Sequence, residues 1–342
     1  MGRTARVLGL MAGVAAAAAA VAVAPVVRRQ MRAVHAIDPQ FRVPMAYFPF
    51  SIDSRSLPLM RRGRIAPVDL GDVTLVVSPL PPAGGLAGVE VRVYDPAGRD
   101  DASPALLFIH GGGFVVGEAA ADDAGCAELA RRLGTLVVSV EYRLSPEHPF
   151  PAAHDDCLHA LRWLHENADE LRIDPSRVAV SGESAGGGLA AGLVQRAVDE
   201  GIPVAFQHLI YPMLDDRTVL RAEQDGGWNA VWTPRSNRFG WTSYLGHSPG
   251  LARTEPYAVP ARRAALDGLP PTWIGVGSVD LFHDEDVVYA ERLSAEGILC
   301  ELLVVPGMFH AAQRFATQAP AAKEFERASL DALARGLGVA VD

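Results

Sequence analysis

The sequence predicts an α/β fold: a mostly parallel sheet of eight strands flanked by helices, with a helical cap over one end. Three observations point there. Short apolar runs rich in β-branched residues alternate with amphipathic helical patterns along the chain. Most of the runs are continuously apolar, as strands buried on both faces read. The stretch "VAVSGESAGGGLAAGL" (178–193) then places one serine among glycines, with an apolar run before it and helix formers after it.

The chain has 342 residues, 49% of them hydrophobic, enough for one large core with insertions. Its net charge of -9, with no basic run interleaved with aromatics, argues against nucleic acid as a partner. Cys126, Cys157 and Cys300 are far apart and show no C-x-x-C or Cys/His ligand spacing, so neither a disulfide scaffold nor a zinc module is expected.

The N-terminus stands apart. Arg3 and Arg6 precede an uncharged run from Val7 to Val27, and Arg28, Arg29 and Arg32 follow it. The run is long enough to cross a bilayer core, and it also has the n-region and h-region of a secretory signal. Residues 1–30 are therefore expected to be a signal or a membrane anchor. That implies export or membrane attachment through residues 7–27. A start at Met31, leaving a cytoplasmic protein, is the alternative.

From residue 31 on, one catalytic domain is expected. Candidate strands are "VTLVV" (73–77), "VEVRVYD" (89–95), "ALLFIH" (105–110), "TLVVSVE" (135–141), "RVAVSG" (177–182), "HLIYP" (208–212), "TWIGVG" (272–277) and "CELLVV" (300–305). Candidate helices lie near 122–133, 155–171, 184–200, 284–296 and 318–336. No helix separates the first two strands, and "PLPPAGGLAG" between them looks like a hairpin loop, so the sheet is expected to begin antiparallel. Residues 31–66 and 214–269 fall outside the strand rhythm. Long excursions of this kind are functional or form small subdomains, and together these two are expected to form the cap. Trp228, Trp232, Phe239, Trp241 and Tyr244 crowd into the second. Trp228 and Trp232 are expected to approach the reactive end of the sheet, Phe239 and Tyr244 to pack the cap onto the body.

The chemistry suggested is acyl transfer by a serine. It needs a nucleophile, a base, an acid that orients the base, and donors for an oxyanion. Ser184, flanked by Gly182 and Gly186 in the G-x-S-x-G spacing, sits between a strand and a helix, the context that this pattern requires. A glycine–serine turn before a helix is also what a simple N-cap looks like. "HGGG" (110–113) follows a strand, and consecutive glycines let backbone N–H groups face a ligand; the Ala185 N–H would complete the hole. Asp280 closely follows the strand "TWIGVG". Its rivals Asp284 and Glu285 open the next helix, where carboxylates suit the helix dipole. His310 lies in a loop after the last strand; His283 is its rival, beside the acid. His154, His159 and His165 lack metal-site spacing and are read as structural.

With these residues in place the chain resembles the hormone-sensitive-lipase family of α/β-hydrolase carboxylesterases, the bacterial esterases with an HGGG motif. The matching stretches are "HGGGFVVG", "YRLSPEHPFPAAHDD", "GESAGG", "DLFHDE" and "PGMFHAA", in the family's order. The resemblance implies Ser184, Asp280 and His310 as triad, and Gly112, Gly113 and Ala185 as oxyanion hole, with Gly111 shaping the turn. It implies a serine carboxylesterase for short- to medium-chain acyl esters that uses no metal or organic cofactor. Its partner would be a small acyl ester, and a homodimer is a further expectation. An amidase or lactonase with the same triad, or a ligand-binding relative of the fold, is the alternative. Three positions depart from the family: Leu281 replaces a common proline, Glu183 a common aspartate, and Ala311 the usual glycine after the histidine.

Overall fold

Ser103 to Ile109, the third strand, is buried along its whole length, and the sheet is built outward from it. In the computed structural model the strands are β1 (Val73–Leu80), β2 (Val89–Pro96), β3 (Ser103–Ile109), β4 (Leu136–Glu141), β5 (Ile173–Glu183), β6 (Phe206–Ile210), β7 (Thr272–Gly277) and β8 (Cys300–Val305). The structure describes residues 31 and 33–341, apart from 48–49, 64 and 222–228.

The eight strands form one sheet in the order β1-β2-β4-β3-β5-β6-β7-β8. β1 and β2 pair antiparallel, as do β2 and β4; every later pair is parallel. The expected eight strands and the antiparallel start are both present. The swap that puts β4 between β2 and β3 had no counterpart in the strand periodicity.

The helices that flank the sheet and the site are α1 (Leu57–Met60), α2 (Asp123–Leu133), α3 (Ala152–Glu166), α4 (Ala185–Glu200), α5 (Pro234–Leu245), α6 (His283–Ala295), α7 (Ala312–Phe315) and α8 (Pro320–Leu337). Apolar residues cover both faces of the sheet. One cluster joins α3, α4 and α6 to the sheet, and the other joins α2 and α8 to its opposite side. Two covered faces are what parallel strands need, and the inner strands β3, β4, β6 and β7 bury both rows of their side chains.

The two excursions meet beyond the carboxyl ends of the strands. Ser51 Oγ lies 2.8 Å from Thr233 Oγ1, and the Ile52 N–H donates to Ser236 Oγ. Thr233 also caps α5 by accepting from the Ser236 N–H. The far part of the second excursion goes elsewhere. Gln195 on α4 donates to the Pro260 carbonyl, and Arg263 pairs with Asp199. Residues 257–263 therefore lie alongside α4, and only the nearer part of 214–269 joins residues 51–53.

Candidate active site

β5 ends at Glu183 and α4 begins at Ala185, so Ser184 alone makes the turn between them. Its φ of 55° and ψ of -119° lie outside the regions an L-residue prefers. Such strain costs of order 1–3 kcal/mol and is kept where the surroundings enforce it. Here the Ser184 N–H donates to the Ile210 carbonyl, and its own carbonyl accepts from the Met213 and Gly188 N–H groups. The two glycines of the motif are required by contact: a Cβ on Gly182 would collide with the Gly186 carbonyl, and one on Gly186 with the Ile109 carbonyl. The plain N-cap reading fails, since the serine side chain caps nothing.

The side chain turns instead to His310. Ser184 Oγ lies 2.9 Å from His310 Nε2, and His310 Nδ1 lies 2.9 Å from Asp280 Oδ2. With its hydrogen on Nδ1, the ring donates to the carboxylate and offers Nε2 as acceptor to the serine hydroxyl. The other oxygen, Asp280 Oδ1, accepts from the Phe282 N–H at 2.9 Å, which fixes the carboxylate. All three side chains are buried. The rings of Tyr211 and Phe282 meet the imidazole edge-on, with centroids 4.8 and 5.2 Å away. The rivals lie elsewhere. Asp284 is 64% exposed and is paired with Arg221 and His283.

The glycine loop after β3 packs against this turn. A Cβ on Gly111 would sit 3.2 Å from the Glu183 carbonyl and 3.5 Å from Ser184 Cβ. Among the described residues no acceptor takes the N–H of Gly112, Gly113 or Ala185. His110 anchors the loop. It stacks on Tyr142 at 4.2 Å, and the Tyr142 hydroxyl donates to its carbonyl. Burial lowers its pKa to about 4, so the ring is neutral near pH 7.

A pocket of about 370 Å³ opens above Ser184 and His310, lined by Gly111, Gly112 and Gly113 and by Met45, Phe50, Ile52, Met60, Val231 and Trp232. Trp232 lies on the wall of this pocket. Trp228 falls within residues 222–228, outside the described residues. Tyr244 packs on Phe114 with ring centroids 4.1 Å apart, and Phe239 packs partly buried against the core.

Sequence reasoning missed the charged cluster beside the serine. Arg314 pairs with both Glu183 and Asp122, and Glu183 also accepts from the Tyr211 hydroxyl. Arg314 is four residues from His310, and the adjacent "ESA" already carried Glu183, but nothing local joined them. Glu285, read from the sequence as a carboxylate suiting the helix dipole, is instead buried and accepts from the Leu214 and Asp215 N–H groups and from Thr218, tying the start of the second excursion to α6. Burial raises its carboxyl pKa to about 8. A second serine–histidine pair, Ser181 and His208, is buried under Trp273 with Ser329 on the far nitrogen and no carboxylate bonded to it. Among the described residues no group of His, Cys, Asp or Glu is placed to hold a metal ion.

Residues 106–314 match the family described as having the α/β-hydrolase fold. The chain belongs to that family. Within it, the hormone-sensitive-lipase resemblance is borne out by the relatives. Carboxylesterase NlhH of Mycobacterium tuberculosis is 39% identical over 260 residues, 74% of this chain and 80% of its own. Esterase LipI of the same organism is 35% identical over 305 residues, 87% of this chain and 94% of its own. Among solved structures, that of a bacterial heroin esterase superposes with a TM-score of 0.82 at 38% identity, covering 89% of this chain and 99% of its own. Ala311, one of the three positions where the chain departs from the hormone-sensitive-lipase resemblance, has a φ of 59°, in the left-handed region. Among the described residues no helix is long and apolar enough to cross a membrane; the run 7–27 lies outside them.

Proposed function

We propose that the protein hydrolyses short- to medium-chain acyl esters through an acyl-enzyme on Ser184, with His310 as base and Asp280 as its orienting acid. That it is a carboxylic ester hydrolase acting on small-molecule esters follows from its family and relatives; the residue roles and the chain length are this proposal. The observation that carries it is the continuous Asp280–His310–Ser184 chain of hydrogen bonds at the floor of an apolar pocket.

His310 Nε2 takes the hydroxyl proton as Ser184 Oγ attacks the ester carbonyl. Asp280 holds the ring in the needed tautomer and stabilises the imidazolium that forms. The N–H groups of Gly112, Gly113 and Ala185 receive the oxyanion; losing one such donor typically costs about 10²–10³ in rate. The imidazolium then gives its proton to the departing alcohol, and water repeats the attack on the acyl-enzyme. Residues 31–66 and the part of 214–269 before residue 257 act as the cap, with Met45, Phe50, Ile52, Met60, Val231 and Trp232 bounding the acyl pocket. Export or membrane attachment through residues 7–27 belongs to the same reading, supported by that uncharged run between arginines.

Ser184→Ala tests it. The substitution removes the nucleophile and little else, so ester turnover and fluorophosphonate labelling should both vanish while the thermal unfolding midpoint holds. Retained turnover above a few per cent of wild type would sink the assignment. Parallel series of esters, anilides and lactones read which bond is preferred.

A further inference from the structure

The mouth of the pocket is bordered by apolar side chains left in solvent. Phe50 and Met60 line it while 45% and 43% exposed, and Leu59, beside Met60 on α1, is 66% exposed. Single exposed apolar residues are ordinary, but a group of them around one opening marks an interaction surface.

Charge singles out the same stretch. From Arg28 to Ala66 the sequence has eight arginines against Asp38 and Asp53, in a chain whose net charge is -9. Asp53 is paired with Arg235, and Arg61 with Glu147. Arg55 and Arg62 flank α1, and neither guanidinium has a partner among the described residues.

The route of the chain brings a third feature to this end. The Asp38 N–H donates to the Gly307 carbonyl, and Gln40 Oε1 accepts from the Ala321 N–H. Gly307 belongs to the loop that carries His310. The segment that follows the uncharged run 7–27 therefore enters the body beside the catalytic histidine loop.

We propose that this end of the molecule docks on the surface of an anionic lipid bilayer. Leu59 and Met60 enter the boundary between headgroups and acyl chains, Arg55 and Arg62 meet lipid phosphates, and the pocket opens toward the membrane. Apolar side chains ringed by arginine are the composition that holds a protein in that interface. The surface would supply acyl esters dissolved in the bilayer to Ser184. This last step rests on the ester-hydrolase reading; the docking does not.

The test uses the full chain and vesicles of three parts phosphatidylcholine to one part phosphatidylglycerol. Turnover of 4-nitrophenyl octanoate dissolved in the vesicles is divided by turnover of 4-nitrophenyl acetate in buffer. In Arg55→Glu/Leu59→Glu/Arg62→Glu this ratio should fall by about tenfold or more. High salt or pure phosphatidylcholine vesicles should lower the wild-type ratio toward the variant's. Ser184→Ala protein supplies a readout that needs no turnover: its apparent affinity for the anionic vesicles should weaken about tenfold on adding the three substitutions. If the triple variant does not fold, by its thermal melt, Leu59→Ser and Arg62→Gln are measured singly and should each lower the ratio. An unchanged ratio, an equal fall on both esters, or unchanged vesicle affinity overturns the proposal. So does a wild-type dimer that these substitutions split into monomers, which would make a second copy of the chain the occupant of the rim.

Discussion

The indole ring of Trp232 occupies the space that a methyl group on Gly113 would fill. The tryptophan is buried, and its Nε1–H donates to Asn237 Oδ1 on α5 at 3.3 Å, so the helical layer is fitted directly onto the glycine loop. Gly240 on the same helix comes so near that a Cβ there would sit 2.8 Å from the Gly113 carbonyl. Gly113→Ala should therefore lose most ester turnover, both from this collision and from the residue's φ of 61°. Adding Trp232→Ala should restore part of it, because one of the two causes is gone; kcat/KM for the four proteins of the cycle measures the coupling. No recovery in the double variant would mean that the backbone angle alone sets the cost.

Trp232 also bounds the pocket above Ser184. Trp232→Ala should shift the preferred acyl length upward and change the shortest ester least. A series of 4-nitrophenyl esters of increasing chain length reads this. A uniform loss at all lengths would assign the ring to packing only.

Asp280→Asn should cost about 10⁴-fold in kcat, the size of the effect when a triad histidine is held in the wrong tautomer in the reference serine protease. Asp284→Asn should stay within a few-fold of wild type, since that carboxylate is exposed and bonded to Arg221 and His283. The opposite ranking would move the acid to Asp284.

Ala311 should prefer to be glycine. A Cβ in the left-handed region costs about 1–2 kcal/mol, and the added freedom of glycine in the unfolded chain returns about 0.5–1 kcal/mol of that. Ala311→Gly should raise stability by a few tenths to about 1 kcal/mol. A lowered urea midpoint at constant slope would show that the Ala311 methyl, buried beside the pocket, contributes more by packing than it costs by strain.

Acid should destabilise the fold through buried histidines. Burial lowers His208 from 6.5 to about 3, and His110 and His154 from 6.5 to about 4. A depressed folded-state pKa means that the unfolded chain takes up protons first. Stability is then full above pH 6.5 and is lost as pH falls toward 4. Glu285 acts in the other direction. Its pKa is raised from 4.5 to about 8, so its contribution is full below pH 4.5 and is lost as pH rises toward 8. His208→Gln should flatten the acid side of the stability profile, and Glu285→Gln the side between pH 4.5 and 8. Urea midpoints across that range check both. A parallel profile in either variant would remove that group from the account.

Local pattern already specified most of the framework. The inner strands β3, β4, β6 and β7 were readable because residues buried on both faces must be apolar in sequence; β1 and β8, partly exposed at the sheet edges, were readable from β-branched runs bounded by glycines and prolines. Ser184 was readable for a similar reason: its turn leaves no room for a Cβ at Gly182 or Gly186, so the geometry writes itself into consecutive residues. Asp280 and His310 each follow a strand at the same end of the sheet, which singled them out without showing that they touch. Other features depend on contacts between distant segments and leave no local signature. The place of β4 inside the sheet is one. The junction of Ser51 with Thr233 is another, as is the turn of residues 257–263 toward α4 rather than over the pocket. The grip of Arg314 on Glu183 and Asp122, and of Glu285 on the backbone of Leu214, belongs with them. An isolated arginine or glutamate in a sequence looks the same whether it ends in water or against a partner seventy residues or more away. Only the packing of the folded chain brings the partners together and removes the water between them.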